Sequence, residues 1–338
     1  MAKTALITGA SSGFGYECAR ALAKMGFKIV ALARRAQRLA ELEAEFNTPA
    51  RAGEIHAKQN STGETHTKQS SASEIHAKQG TAGDFGKTQA KQSPNSKQKG
   101  DLNSQSVGKS HAKQNSVGEI QAKQGDLNLG QSTENSRQIH TICADVRDKK
   151  AVFAAVDSLP RDFKDISVLI NNAGLSLGLD EFDKMGIEDI DTMVDTNVKG
   201  FLYVARAVLP LLRAQKSAHI FNLGSVAARN AYFGGNVYCG TKAFVAQFSL
   251  ALRNDLRGSG IKVTNIAPGL CKTEFSEVRF KGDKAKADAV YAGTKFLSAN
   301  DIAQVICALL SLPEHINVNE IELMPITQTW AGFHIEKS

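Results

Sequence analysis

The sequence predicts an α/β protein in which helices cover both faces of a parallel β-sheet. Short apolar runs typical of buried strands alternate along the chain with stretches of helical spacing. A glycine-rich turn joins the first strand pattern, Thr4–Thr8, to the first helical stretch. Outside one polar segment, 48–136, the other 249 of the 338 residues have ordinary globular composition, and their number suits one domain of this kind.

The chain begins with two strand–helix pairs. Cys18–Met25 is a helical run that Gly26 ends, and the buried strand Lys28–Leu32 follows it. Gln37–Phe46 then has helical spacing and is rich in strong helix formers. Helical stretches separate most of the five later strand patterns, which are Ile139–Cys143, Val168–Ile170, His219–Leu223, Lys262–Ile266 and Glu320–Leu323.

The segment 48–136 interrupts this alternation with an imperfect ten-residue repeat. Gly53–Gln59 returns in similar form as Gly63–Gln69 and Ser73–Gln79. The segment holds only nine Ile, Leu, Val, Phe or Met side chains, too few to offset an ordering entropy of about 1–2 kcal/mol per residue. We therefore expect a disordered, low-complexity insertion in a single domain made of 1–47 and 137–338. Its histidines lack the close spacing of a metal site, so no metal is expected.

Composition narrows the partners and the compartment. The formal net charge of +7 comes without a dense run of Lys or Arg, which argues against nucleic-acid binding. The chain begins on a strand pattern, and no apolar stretch reaches the about 18 residues needed to span a membrane, so neither a signal peptide nor membrane attachment is expected. Five cysteines, an odd number without paired spacing, fit a reducing cytoplasm.

The turn after the first strand, Thr8–Gly15, has the composition of a dinucleotide-phosphate site. Gly9 permits a tight turn, Gly13 lets backbone approach a pyrophosphate, and Gly15 allows close packing of the helix. The free N–H groups and the dipole at the helix N-terminus attract phosphate. The residues predicted to hold the cofactor here are Gly9, Ala10, Ser11, Ser12, Gly13, Phe14 and Gly15.

Two arginines after the second strand predict the form of the cofactor. A free ribose 2′-hydroxyl favours Asp or Glu at this position, whereas Arg34 and Arg35 offer guanidinium donors suited to the 2′-phosphate of NADP. Arginines oppose the dipole near a helix N-terminus, which disfavours a purely structural role for the pair. After the third strand, Asp145 and Val146 are candidates to contact the adenine, although Asp145 is equally suited to cap a helix.

Polar residues suited to catalysis follow the fourth and fifth strand patterns. Asn171–Gly174 lies where ligands bind in such sheets, and Asn172 is a candidate cofactor contact. Ser225 comes just after the fifth strand. Thirteen residues later, Tyr238 begins a pair with Lys242, and their four-residue spacing places them on one face of a helix. An ammonium beside a phenol lowers the phenol's pKa from about 10, which makes Tyr238 a proton acceptor near neutrality.

In this combination and order, the motifs resemble those of the short-chain dehydrogenase/reductase family. The resemblance covers both flanks of the insertion, and it implies a Rossmann-like, doubly wound sheet of seven parallel strands and hydride transfer to or from a nicotinamide. It implies that Tyr238 is the general acid/base, that Lys242 lowers its pKa and binds the nicotinamide ribose, and that Ser225 hydrogen-bonds the reacting oxygen. Asn197 would hold a proton-relay water. The family's loop that brackets the nicotinamide is matched here by Pro268, Gly269 and Thr273.

The resemblance is closer to one subgroup, the NADP-dependent 3-hydroxy acid dehydrogenases, which include L-allo-threonine and serine dehydrogenases. Gly234–Tyr238, Thr273–Asp283 and Met324–Gln328 carry it. Members of this subgroup act on serine, L-allo-threonine and 3-hydroxyisobutyrate, or reduce malonic semialdehyde. Because these substrates carry a carboxylate, a cation is expected beside the pocket, and Arg279 is the candidate. An ordinary surface or interface arginine is an equally good interpretation of Arg279.

The leading hypothesis from the sequence is therefore an NADP-linked 3-hydroxy acid dehydrogenase that acts on a small molecule. Two alternatives remain, a carbonyl reductase for neutral ketones and a binding protein that acts through the insertion. An intact set of Ser225, Tyr238 and Lys242 argues against the second alternative, because a carrier needs no such chemistry. Members of the family are usually tetramers, so a homotetramer is expected, with Ala243–Leu256 and Leu323–Phe333 as candidate interfaces.

Overall fold

The computed structural model describes residues 3–47 and 138–329, and these residues confirm the predicted α/β architecture. Their strands are β1 (Thr4–Thr8), β2 (Lys28–Ala33), β3 (Ile139–Cys143), β4 (Ile166–Asn171), β5 (Ala218–Leu223), β6 (Ile261–Pro268), β7 (Cys271–Lys272), β8 (Leu297–Ser298) and β9 (Glu320–Leu323). Seven of them form one parallel sheet in the order β3–β2–β1–β4–β5–β6–β9. The chain changes direction across the sheet between β1 and β4, the place where open α/β sheets bind ligands.

Helices cover both faces of this sheet. They are α1 (Gly13–Lys24), α2 (Ala36–Asn47), α3 (Lys149–Asp157), α4 (Ile187–Val194), α5 (Phe201–Arg213), α6 (Asn236–Asp255), α7 (Phe275–Arg279), α8 (Lys284–Ala289) and α9 (Ala299–Leu310). Alternate residues of a strand point to opposite faces, and β1 shows the result. Ala5 and Ile7 pack with α1, α2 and α9, whereas Leu6 packs on the other face with α3, α5 and α6.

The two described ranges meet where residue 47 and residue 138 lie side by side. The side chain of Asn47, the last residue of α2, accepts hydrogen bonds from the backbone N–H groups of Gln138 (2.9 Å) and Ile139 (3.0 Å). Its amide group donates to the carbonyl of Ile139 at 2.9 Å. The end of α2 therefore contacts the start of β3 directly. The predicted repeat insertion, 48–136, and the disorder expected of it lie outside the described residues.

Two local features differ from the sequence prediction. The first helix begins at Gly13, five residues before the predicted Cys18, because the glycine turn continues directly into helix. Glycine disfavours helix intrinsically, so this first turn has no helical signal in the sequence. The two-stranded sheet of β7 and β8 was not predicted either, since two residues per strand are too few to show a period.

Within the described ranges, no helix is both long enough and apolar enough to cross a membrane. The same residues contain no cluster of three His, Cys, Asp or Glu side chains arranged to hold a metal ion.

Candidate active site

A cleft of about 370 Å³ opens at the carboxyl ends of the central strands. That volume lies within the range of small-molecule and cofactor sites. Most of the residues predicted from the sequence line it, namely Gly9, Ser11, Ser12, Gly13, Phe14, Arg34, Arg35, Asp145, Val146, Asn172, Ser225, Tyr238, Lys242, Pro268, Gly269 and Thr273. Four predicted residues do not line the cleft, and these are Ala10, Gly15, Asn197 and Arg279.

The glycine turn has the backbone geometry that its composition predicts. Gly9 and Gly13 adopt positive φ angles of 67° and 52°, which favour glycine. A Cβ atom on Gly15 would lie 2.4 Å from the carbonyl oxygen of Gly9, so the helix could not approach the turn with any larger residue. Ala10 is fully buried behind the turn. Ser12 precedes α1 without capping it through its side chain, which leaves the helix N-terminus available to a phosphate.

Asn172 supports the turn from the neighbouring strand. Its side-chain amide donates to the carbonyl of Thr8 at 2.8 Å. The hydroxyl of Thr8 in turn accepts hydrogen bonds from the backbone N–H groups of Asn172 and Ala173, both at 2.9 Å. The ends of β1 and β4 are thereby joined at the base of the cleft. The sequence did not predict this role of Thr8, since a threonine at the end of a strand gives no sign of its hydrogen-bond partner.

The two predicted arginines point in different directions at the same end of the cleft. Arg34 lies with its Nη1 atom 3.9 Å from a carboxylate oxygen of Asp145. Arg35 reaches back to the glycine turn, where its Nε donates to the Ser11 hydroxyl at 3.2 Å and its Nη2 donates to the Ser11 carbonyl at 3.3 Å. Its Nη1 donates to the carboxylate of Glu274 at 2.7 Å.

Asp145 does not cap the following helix, which settles one alternative left by the sequence. The cap of α3 is Asp148, whose side chain accepts from the backbone N–H of Ala151 at 3.1 Å. The carboxylate of Asp145 instead accepts hydrogen bonds from Arg147, the shortest at 2.7 Å. Burial raises the pKa of Asp145, but the hydrogen bonds from Arg147 outweigh burial and hold that pKa below its usual value. Asp145 is therefore an ionised acceptor at the rim of the cleft, next to the buried Val146.

Ser225, Tyr238 and Lys242 come together as the sequence predicts. Helix α6 holds Tyr238 and Lys242 on one face, and both side chains are buried. The ammonium of Lys242 lies 5.8 Å from the centre of the Tyr238 ring and donates to the carbonyl of Leu223, at the end of β5, at 2.6 Å. The Ser225 hydroxyl donates to the carbonyl of Pro268 at 3.5 Å and accepts from the backbone N–H of Ala227 at 3.1 Å, and Ser225 lines the same cleft as Tyr238 and Lys242.

Burial governs the acidity of this pair. It raises the pKa of Tyr238 to about 12, against the lowering effects of the Ser225 hydroxyl and the Arg279 charge. Burial also lowers the pKa of Lys242 to about 8. The predicted depression of the Tyr238 pKa by Lys242 is therefore wrong, because excluding water from a phenolate costs more free energy than the nearby charges return.

Asn197 lies in a single π-helical turn, Asp195–Gly200, between α4 and α5. Such turns occur frequently at functional sites. Its side-chain oxygen accepts from the backbone N–H of Leu175 at 2.9 Å, and its amide group donates to the Leu175 carbonyl at 2.7 Å and to the Thr241 hydroxyl at 3.1 Å. Both amide protons are thus used within the protein. The side chain joins the π turn to α6, and the expected proton-relay water stays a prediction.

The loop after β6 also lines the cleft. In the sheet, β6 and β2, the strand that Arg34 and Arg35 follow, lie on opposite sides of β1 and β4. Gly269, which follows Pro268, donates its backbone N–H to the carbonyl of Leu323 at 2.7 Å. A Cβ atom on Gly269 would lie 2.3 Å from the side-chain oxygen of Gln328 and 3.2 Å from the carbonyl oxygen of Leu323, so a larger residue would have to displace the Gln328 side chain. A Cβ atom on Gly13 would lie 3.4 Å from that of Thr273, which places the loop against the glycine turn.

Arg279 lies among three aromatic rings, one of which is that of Tyr238. Its guanidinium carbon is 5.4 Å from the ring centre of Tyr238, 5.0 Å from that of Phe275 and 5.7 Å from that of Tyr232. Its Nη2 donates to the Tyr232 hydroxyl at 2.7 Å, and its Nε is buried without a hydrogen-bond partner among the described residues. The sequence predicted neither Tyr232 nor Phe275, because single aromatic residues outside a periodic pattern read as ordinary packing.

The family of the chain follows from comparison with known proteins. A family model described as short chain dehydrogenase matches residues 3–81 and 107–284. The chain belongs to the short-chain dehydrogenase family.

Particular relatives narrow this further. The chain is 48% identical over 206 residues to the NADP-dependent 3-hydroxy acid dehydrogenase YdfG of Salmonella typhi, a match that covers 61% of this chain and 83% of that protein. It is 36% identical over 335 residues to the serine 3-dehydrogenase of Agrobacterium fabrum, which covers 99% of this chain and 98% of that one. A solved closed form of serine dehydrogenase complexed with NADP+ is 33% identical, with a TM-score of 0.71 over 99% of this chain and 100% of that chain.

Proposed function

We propose that this chain is an NADP-dependent oxidoreductase that interconverts a small 3-hydroxy acid and the corresponding 3-oxo acid. The observation that carries the proposal is the guanidinium of Arg279, 5.4 Å from the ring centre of Tyr238. It places a fixed cation directly beside the candidate proton donor. In a 3-hydroxy acid a single carbon lies between the carboxylate and the reacting carbon, so the acid needs an anion site at this short range. The names of the 3-hydroxy acid dehydrogenase and serine dehydrogenase relatives support the same substrate class.

The residues of the cleft fit an NADP-type dinucleotide. At the glycine turn a Cβ atom on Gly15 would collide with backbone, as expected where the chain is packed to let a pyrophosphate approach the helix N-terminus. Arg35 presents guanidinium N–H groups at the end of β2, where the 2′-phosphate of the cofactor would lie. Asp145 offers an ionised acceptor to the adenine end. When bound, the nicotinamide supplies or accepts the hydride.

Tyr238 holds the proton that the reaction moves. With a pKa of about 12 its phenol is protonated at neutral pH, so it can donate to the oxygen of a 3-oxo acid as that oxygen gains negative charge. Ser225 lines the cleft together with Tyr238, and its hydroxyl can donate to that same oxygen. In the opposite direction the phenol must lose its proton, and the positive charge of Arg279 favours the phenolate.

Arg279 holds the substrate carboxylate in this proposal. Its buried Nε lacks a partner among the described residues, and an unpaired buried donor costs free energy until a ligand accepts from it. The Tyr232 hydroxyl and the three surrounding rings fix the direction of the guanidinium. Arg279 does not itself line the cleft but contacts the rings of Tyr238 and Phe275, which do, so a carboxylate that enters between these rings would meet a preorganised cation.

The test is an absorbance screen of NADP(H)-coupled turnover with serine, L-allo-threonine, 3-hydroxyisobutyrate and malonic semialdehyde, beside neutral ketones of similar size. Arg279→Gln is expected to lower kcat/KM for the acids by about 10–100-fold, the usual size of a lost charge-assisted hydrogen bond. The matched control is Lys281→Gln, which removes an exposed charge two residues away that pairs with Asp189. An equal loss with acids and neutral ketones would show that Arg279 supports the fold, and a preference for neutral ketones would favour the alternative carbonyl reductase.

We also propose that the chain assembles as a homotetramer. The two segments predicted as interfaces each contain an exposed apolar side chain, Leu250 at 40% and Ile326 at 90% exposure. Light scattering at micromolar concentration tests this, and a monomeric mass would refute it. All five cysteines are unpaired, and Cys143 is exposed, which supports our proposal that the protein works in the reducing cytoplasm.

A further inference from the structure

One acidic side chain in the cleft faces two arginines at once. Glu274 precedes α7, and its two carboxylate oxygens point to different guanidinium groups. One oxygen accepts from Arg35 Nη1 at 2.7 Å, and the other lies 3.8 Å from Arg38 Nη2. Glu274 and Arg35 both line the cleft, and Arg38 lines the depression beside it. An anion therefore already lies where two arginines converge.

The contact between Arg35 and Glu274 uses the one part of the guanidinium that does not bind the glycine turn. Its Nε and Nη2 are directed to the hydroxyl and the carbonyl of Ser11, which hold the guanidinium against the glycine turn. Its Nη1 group is the part that faces Glu274. An incoming phosphate must therefore share or take the same edge of Arg35 that the carboxylate uses. It must also approach a fixed negative charge.

We propose that Glu274 is a specificity-determining residue that limits the preference of this cleft for a nucleotide 2′-phosphate. This inference rests on the proposed use of NADP. The carboxylate competes with the 2′-phosphate for Arg35 and repels it through its own charge. A nucleotide with a free 2′-hydroxyl meets no such competition. The side chains of Arg35 and Glu274 are 45% and 38% exposed, so solvent screens their ion pair and the effect of Glu274 on phosphate binding is moderate.

The test uses two adenosine fragments that carry no nicotinamide, so that binding is measured without turnover. Isothermal titration calorimetry of 2′,5′-ADP and 5′-AMP is performed with the wild type, Glu274→Gln and Glu277→Gln. Glu277 lies in α7, three residues after Glu274, is exposed and makes no ion pair with any described residue, so its substitution controls for the loss of one charge. Glu274→Gln is expected to raise the affinity for 2′,5′-ADP about two- to fivefold, the range of a partly exposed ion pair, while the affinity for 5′-AMP stays constant.

Two further measurements identify the partner. The gain from Glu274→Gln should shrink as salt is raised, because ions screen a partly exposed pair. It should become smaller in an Arg35→Gln background, since the competition for Arg35 no longer exists there and only the repulsion between the two negative charges remains. An unchanged or weaker affinity of Glu274→Gln for 2′,5′-ADP, with the wild type still preferring 2′,5′-ADP over 5′-AMP, would overturn the role of Glu274 alone. A wild type that binds the two fragments equally would overturn this role together with the proposed use of NADP.

Discussion

At the residue scale, the proposed chemistry depends on the phenol oxygen of Tyr238. Tyr238→Phe removes that oxygen and keeps the ring in its buried position against Phe275. We expect kcat to fall about 10²–10⁴-fold, the usual contribution of a general acid or base, while the Kd of NADPH is unchanged. Stopped-flow turnover and fluorescence titration measure the two quantities.

The matched control is a second phenol beside the first. Tyr232→Phe removes the hydroxyl that accepts from Arg279 but leaves Tyr238 intact. It is expected to raise KM for the acid substrate and to retain most of kcat, because the guanidinium loses its orientation and the proton donor stays. A Tyr238→Phe enzyme that turns over as fast as Tyr232→Phe would remove Tyr238 from the proposed mechanism.

A second residue-scale prediction concerns the response of stability to pH. His219 is buried in β5, where its ring stacks on Phe221 and its Nε2 contacts the Thr264 hydroxyl at 2.8 Å. That hydroxyl donates its proton to the carbonyl of Val318, so it accepts from Nε2–H of His219. The Nδ1 atom of His219 is buried without a hydrogen-bond partner among the described residues, so a proton there would have no acceptor. Burial, with a smaller contribution from Lys262, lowers the pKa of His219 to about 3.

Because the folded His219 resists protonation and the unfolded one does not, acid stabilises the unfolded chain. The contribution of His219 is fully present above about pH 6.5 and is lost as pH falls from 6.5 toward 3. Between pH 7.5 and pH 5 we expect the wild type to lose about 2 kcal/mol of unfolding free energy through this residue. Urea denaturation of His219→Gln should lack that loss, whereas the exposed His315→Gln should retain it. Parallel pH dependence in all three proteins would contradict the assignment.

At the element scale, the junction of β1 and α1 tolerates no side chain at Gly15. An added Cβ would lie 2.4 Å from the carbonyl oxygen and 2.7 Å from the carbonyl carbon of Gly9, both of which are backbone atoms. Gly15→Ala must therefore move the turn, and we expect NADPH binding to weaken by at least about tenfold, as a misplaced phosphate site implies. Gly240→Ala is the control, since its Cβ would have no atom within 4 Å and lies inside α6.

The two glycines should have opposite effects on stability. Alanine is favoured over glycine in a helix interior by about 1 kcal/mol, so Gly240→Ala should raise Tm while Gly15→Ala lowers it. Thermal unfolding and titration with NADPH check both variants. A Gly15→Ala protein that binds NADPH as tightly as wild type would show that the turn can relax around the added Cβ, and would contradict the expected need for glycine at this position.

The elements also show how far the sequence could predict this structure. Apolar runs of three to five residues located all seven strands of the main sheet, because buried parallel strands are continuously apolar. Motif order predicted Ser225, Tyr238 and Lys242, and these do meet. The sequence could not predict the contacts of Tyr232, Glu274 and Phe275. These residues meet their partners only through tertiary contacts, and the stretches in which they lie show no periodic pattern. The acidity of Tyr238 was also mispredicted, because charge spacing is visible in a sequence and desolvation is not.

At the scale of the whole molecule, the polar segment should be dispensable for catalysis. Asn47 and Gln138 are in contact at the amino-terminal edge of the sheet, and the cleft lies at the carboxyl ends of the strands. We expect that replacing 49–135 with a short Gly-containing linker leaves kcat/KM within about threefold and does not lower Tm, since loop-closure entropy depends only weakly on length. Turnover and thermal unfolding of the shortened protein measure this. A folded but inactive product would mean that the segment reaches the active site or an interface.

The short helix α7 has a consequence for any attempt to redesign this enzyme. Within six residues, Glu274 contacts Arg35 at the proposed cofactor end, Phe275 packs against Tyr238, and Arg279 lies at the proposed substrate end. A helix of one turn moves as a rigid unit, so a shift at either end reaches the other. Mutations that change substrate preference should therefore also change cofactor preference, with free energies that do not add. Directed evolution for a new acid would have to select for both properties together, and each gain in one is expected to alter the other.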